Sequence, residues 1–199
     1  MPARRELIQK EFGLYLLLAS LGMFFLGAMW AFILMRKGVP VTPGRFPPVL
    51  WASTAVLLVG GISLQQSLRE VRRERQLEFR RWLLTAFGCG CLFCILQTIG
   101  LTDLLLGHFV NLRSASLEPP ISRFESLRAV RFWGFLFVLV LLHVLHFIGG
   151  LVVLFRVVLE ALRGRFDHEF YPGVKLCAVY WRFLDVVWLM MLAAFTLTL

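Results

Sequence analysis

The chain has 199 residues, 59% of them apolar and only 17% charged, with a mean hydropathy of +0.77. A soluble domain carries about 45–50% apolar and about 25% charged residues. The excess falls in long blocks, which excludes a soluble globular enzyme, a disordered tail and a disulfide scaffold and leaves an integral membrane protein. The net charge of +9, from 21 Lys and Arg against 12 Asp and Glu, needs no nucleic acid to explain it. Membrane proteins gather basic residues beside anionic headgroups, and no Zn-ligand spacing, recognition helix or RNP-type aromatic motif accompanies the charge.

Five apolar runs are each long enough to cross about 30 Å of hydrocarbon at 1.5 Å per residue. They predict an all-α, five-transmembrane-helix bundle that forms a single membrane domain over 1–199. The first run, 13–35, follows Arg4, Arg5 and Lys10 and meets Arg36-Lys37 where a signal peptide would have small residues, so it reads as a retained helix. The second, 48–66, leads into Arg69-Glu70-Val71-Arg72-Arg73-Glu74-Arg75, which is expected to carry the helix into water. The third is 82–106, the fourth 132–155 and the fifth 176–198. All are apolar on every face, unlike the alternating strands of a membrane barrel. Residues 107–126, with Asn111, Arg113, Ser114, Ser116, Pro119-Pro120 and Ser122, read as an ordered turn or cap. The connector 36–47, with Gly38, Pro40, Pro43, Gly44 and Pro47, resists helix.

Basic residues set the expected orientation. Arg4, Arg5, Lys10, Arg69, Arg72, Arg73, Arg75, Arg80, Arg81, Arg163, Arg165 and Lys175, 12 in all, fall on one side. Arg36, Lys37, Arg45, Arg113, Arg123, Arg128 and Arg131, 7 in all, fall on the other. The richer side should be cytoplasmic, with the N-terminus inside and the C-terminus outside.

Little in the chain suggests catalysis. There is no Gly-rich phosphate loop, nucleophile elbow or pair of catalytic carboxylates. Cys89, Cys91 and Cys94 lie within one apolar run and Cys177 at the start of another. Such thiols serve as small packing residues, although their spacing also suits copper or a transient disulfide. Of the four histidines, His108 and His168 fall in or beside loops, and His143 and His146 share one helix. Two ligands on one face of one helix cannot clamp both sides of a haem iron, so they read as hydrogen-bonded packing residues. The Gly164-Arg165-Phe166-Asp167-His168-Glu169 run reads as a solvated loop, not a metal site. No metal site and no catalytic residue is expected.

Asp185 is the one acid well inside an apolar run, with Arg182 three residues before it. His146 lies ten residues from Arg156, and Asp185 ten from Lys175. Both are therefore expected roughly 15 Å deep on antiparallel neighbouring helices. They predict a polar clasp between His146 and Asp185, with His143 as second-choice partner and Arg182 adding charge.

Tyr180-Trp181-Arg182-Phe183-Leu184-Asp185-Val186-Val187-Trp188-Leu189 closely resembles the last-helix signature of subunit III of haem–copper oxidases, Tyr/Phe-Trp-His-Phe-x-Asp-Val-Val-Trp. His143-x-x-His146-x-x-Gly149 resembles that family's His-Gly-x-His-x-x-x-Gly motif. Ser20 followed by Met23-Phe24-Phe25-Leu26-Gly27-Ala28-Met29-Trp30-Ala31-Phe32 resembles its Ser-Glu-x-x-Phe-Phe-x-x-x-x-Trp-Ala helix, and Leu96-Gln97 fits a third shared helix. Leu21 stands where the family has Glu, Arg182 where it has His, and Ile99-Gly100 where an acid follows the Leu-Gln pair.

The resemblance implies the short, five-helix form of an accessory subunit in a bacterial plasma (inner) membrane, without catalytic residues or cofactor of its own. Haem and copper would reside in partner subunits I and II of a cytochrome c oxidase serving aerobic electron transport. It further implies bound phospholipid, for which Trp30, Trp181, Trp188, Arg156 and Arg163 are the residues offered, with generic interfacial anchoring as the alternative. Gly22, Gly27 and Trp30 suggest a docking face on the first helix. The related small subunit of a quinol oxidase or nitric oxide reductase is the alternative. A small transporter would need a polar path and broken helices. Asp185, His143, His146 and Gln97 are too few and too scattered to trace one.

Overall fold

Hydrocarbon offers no partner for backbone polar groups, so each apolar run closes its hydrogen bonds internally as a helix. The computed structural model describes residues 2–36, 48–117, 120–164, 166 and 171–198. The connector 37–47 and the Asp167-His168-Glu169 run lie outside these, as do the side chains of His108, Arg123 and Arg128. The described residues form five helices: α1 (Pro2–Arg36), α2 (Pro48–Arg72), α3 (Gln76–Leu117), α4 (Pro120–Leu162) and α5 (Pro172–Thr198). Four of them begin on a proline, whose fixed φ and missing N–H suit the first helical position. Each contains a stretch long and apolar enough to cross a bilayer, and the chain is a multi-pass membrane protein.

The helices overrun the apolar runs. Residues 107–117 belong to α3 and 120–126 to α4, where the sequence suggests a turn or cap. Asn111, Arg113, Ser114 and Ser116 are only weakly unfavourable in a helix; the first true breaker is the Pro119-Pro120 pair. α3 and α4, of 42 and 43 residues, would each measure about 63–65 Å along the axis. That is twice the hydrocarbon thickness, so they extend well past it as a helical hairpin.

α2 ends where the sequence places its charged extension. Glu74 takes a left-handed conformation (φ 61°), and Arg75 donates its N–H to the Glu70 carbonyl at 3.1 Å. α2, α3 and α4 form consecutive antiparallel hairpins, and α5 packs against α1, α2 and α4. Residues 73–75, Arg163, Gly164, Phe166 and Tyr171 share one end of the bundle with the N-terminal part of α1; this is called the basic end below. There Gln76 donates to the Phe166 carbonyl at 3.2 Å, Lys175 of α5 pairs with Glu11 of α1 at 2.8 Å, and Arg72 lies over the Tyr171 ring.

α1 is held by a narrow seam. Glu11, Leu18, Phe25 and Phe32 recur every seven residues and are at least half-buried. That spacing keeps one stripe of a helix facing its neighbours. Phe25 and Phe32 are fully buried, while Phe12, Met23 and Trp30 on the other faces are exposed.

Candidate functional site

Helix α5 carries the largest set of polar and aromatic groups, and its neighbours are small where it approaches. A Cβ on Gly150 of α4 would meet Tyr180 at 2.8 Å and Leu184 at 3.2 Å. One on Gly90 of α3 would meet Leu151 at 2.9 Å and Trp181 at 3.0 Å. Small residues let membrane helices approach closely, because packing, not hydrophobic exclusion, holds them together. Gly149 has open space around it. The glycine that serves α5 is therefore the one four residues after His146, not the one three after.

Trp188 anchors the core. Its indole Nε1 donates to the Thr54 hydroxyl at 2.9 Å, and that hydroxyl donates in turn to the Leu50 carbonyl at 2.7 Å. The ring stacks on His143 (centroids 5.4 Å) and meets Phe93 edge-on. Ser53, beside Thr54, donates to the Leu50 carbonyl at 2.9 Å and approaches Gln97 Oε1 at 3.4 Å. His143 and Gln97 are fully buried; both His143 ring nitrogens and Gln97 Nε2 lack a hydrogen-bond partner among the described residues. Ser53, Thr54 and Gln97 were not legible as partners from sequence. The one available signal was a hydroxyl pair inside an apolar run in a chain with several indoles, which usually find an acceptor when buried; the buried Trp181 Nε1 has none among the described residues.

The His146–Asp185 clasp does not form. His146 donates Nδ1–H to the Leu142 carbonyl at 2.7 Å, and its own carbonyl accepts from the Tyr180 hydroxyl at 3.0 Å. Asp185 faces α2, its carboxylate pressed against Gly61. The reason is angular. Leu184 touches Gly150 on α4, so the next residue, about 100° round the helix, points elsewhere. His143 is no substitute, since Phe25 and Trp188 enclose its ring. Arg182 is exposed and lines a groove of about 340 Å³ with Asp185, but makes no ion pair with it among the described residues.

The lipid-facing candidates divide. Trp181 and Trp188 are each 1% exposed, inside the protein. Trp181 packs on Phe147 of α4, and neither tryptophan can reach a lipid. Trp30, at 66% exposure, and the exposed Arg156 and Arg163 are accessible from outside the bundle. Among the described residues no three His, Cys, Asp or Glu side chains converge on a point suited to a metal.

These features define a class: a multi-pass helical membrane protein in which a few polar side chains, such as Trp188, Tyr180 and Lys175, join one helix to another. No family model matches the chain. Curated proteins named cytochrome c oxidase subunit 3 are similar to it. That of Carassius auratus is 29% identical over 196 residues, that of Squalus acanthias 29% over 196, and that of Pan troglodytes 27% over 192. Each match takes in 90% of this chain, which in turn spans 66% of the length of these relatives.

Proposed function

We propose that the chain is a single membrane domain serving as a non-catalytic, subunit III-like member of a haem–copper terminal oxidase. It would assemble with catalytic subunit I and with subunit II, which would hold the haem and copper. The observation that carries this reading is similarity along 90% of the chain to proteins named cytochrome c oxidase subunit 3. The α5 segment Tyr180–Leu189, which resembles the family's last-helix signature, supports it, as does the count of five helices. The 12-to-7 split of basic residues supports a cytoplasmic basic end in a bacterial plasma membrane. Trp30, Arg156 and Arg163, exposed on the outside of the bundle, are the residues this reading offers to phospholipid.

The role follows from packing. A rigid helical subunit stabilises a neighbour by burying lateral surface, and the Trp188–Thr54 and Tyr180–His146 bonds hold the helices that would present it. The test is mild-detergent purification of the tagged chain, followed by measurement of O2 uptake with reduced cytochrome c. The reading expects co-purifying oxidase subunits and cytochrome c-dependent O2 uptake. A preparation without either would overturn it.

A further inference from the structure

We infer that the groove between α2 and α5 is where a transmembrane helix of the haem-carrying chain docks, bringing an uncharged hydrogen-bond donor to Asp185 and an acceptor to Arg182. This rests on the oxidase reading and names the surface which that reading leaves open. Asp185 lies thirteen residues from each end of α5, at mid-span, where exposure of charge to hydrocarbon is most unfavourable. Among the described residues its buried Oδ1 has no partner, and Asp185 itself lines the groove beside Gly61.

The groove of about 340 Å³ above it is lined by Gln65, Gln66, Arg69 and Arg182. Arg69 donates to Gln66 Oε1 at 3.3 Å, whereas Arg182 is exposed and holds no hydrogen bond or ion pair among the described residues. Ile62 and Val186, 61% and 48% exposed, form its apolar walls. The sides offered by α1 and α4 differ: Met23, Phe24, Leu145, Ile148 and Val152 are exposed there. Apolar side chains need nothing but lipid.

The chemistry selects the occupant. A lipid headgroup can reach Arg69 near the basic end, but at mid-span a lipid offers only acyl chain, which leaves Asp185 unsatisfied. A helix offers side chains at every depth. Two guanidiniums already line the groove and disfavour a third cation. The donor is therefore a hydroxyl, amide, indole or neutral imidazole, with the acceptor for Arg182 about one turn nearer the basic end. Of the α1 face suggested by sequence, Gly22 packs on Phe183, while Gly27 and Trp30 stay exposed and offer no polar group at mid-span.

The experiment places a photoreactive residue at Ile62, Val186, Met23 or Ile148 of the full-length tagged chain, one at a time, in native membranes. Ile62 and Val186 should give a covalent adduct with a haem-bearing polypeptide; Met23 and Ile148 should give adducts of lipid mass only. Ile62→Trp should lower co-purifying haem at least tenfold at unchanged chain abundance, and Ile148→Trp should leave it unchanged. Asp185→Asn, which keeps an acceptor, should retain more haem than Asp185→Leu. Lipid- or quinone-mass adducts alone from the groove, or haem-bearing adducts from Met23 or Ile148 instead, would overturn the docking site while leaving the oxidase reading intact. Absence of haem from every preparation, including the unsubstituted chain, would overturn both.

Discussion

Trp188 and Asp185 lie on the same helix three residues apart, yet their surroundings differ in kind. Trp188 is enclosed by His143, Phe93 and Thr54, and its N–H is satisfied. Asp185 touches α2, and its Oδ1 has no partner among the described residues. Intramembrane hydrogen bonds average about 0.6 kcal/mol and reach about 1.7. Thr54→Val should therefore destabilise the purified chain by about 0.6–1.7 kcal/mol in a titration from mild detergent into SDS. Thr54→Val and Trp188→Phe should be non-additive, because both remove the same bond. His146→Leu and Asp185→Leu should be additive, since each side chain has different neighbours. A coupling between the second pair would restore the clasp that the sequence suggested.

At the scale of the helices, α4 and α5 meet through Gly150 and not through its neighbour. Gly150→Leu should force Tyr180 and Leu184 aside and cost about 1–3 kcal/mol, the usual range for overpacking. Gly149→Leu should change stability little, and SDS titration of the two variants checks the contrast. The number of helices was legible because five apolar runs of spanning length, without the alternation of barrel strands, are satisfied in lipid only as helices. Their ends were less legible. Polar residues such as Asn111 and Ser114 read as loop, but a helix stops only where something stops it, here the proline pair. The facing of Asp185 was not legible at all. α5 is apolar on most sides, so periodicity does not distinguish its α4 side from its α2 side, and adjacency of two helices in sequence does not say which of their residues meet. The burial of Trp181 and Trp188 was missed for the same reason: in a membrane protein, tryptophan reads as an interfacial residue until packing shows otherwise.

For the molecule as a whole, the basic end gathers Lys10, Arg72, Arg75, Arg80, Arg163 and Lys175 at the junctions α2–α3 and α4–α5 and at the start of α1. Reporter fusions after Arg75 and after Glu118 should report opposite compartments, with Arg75 on the cytoplasmic side. The same compartment for both would contradict a five-crossing topology. On the proposed function, the chain works inside a haem-bearing assembly and carries no redox centre itself. The most direct measurement is a reduced-minus-oxidised difference spectrum of the tagged chain, taken on the gently isolated assembly and again after the chain is separated from its partners. Haem bands are expected in the first preparation and none in the second. Haem bands that stay with the separated chain would contradict that function.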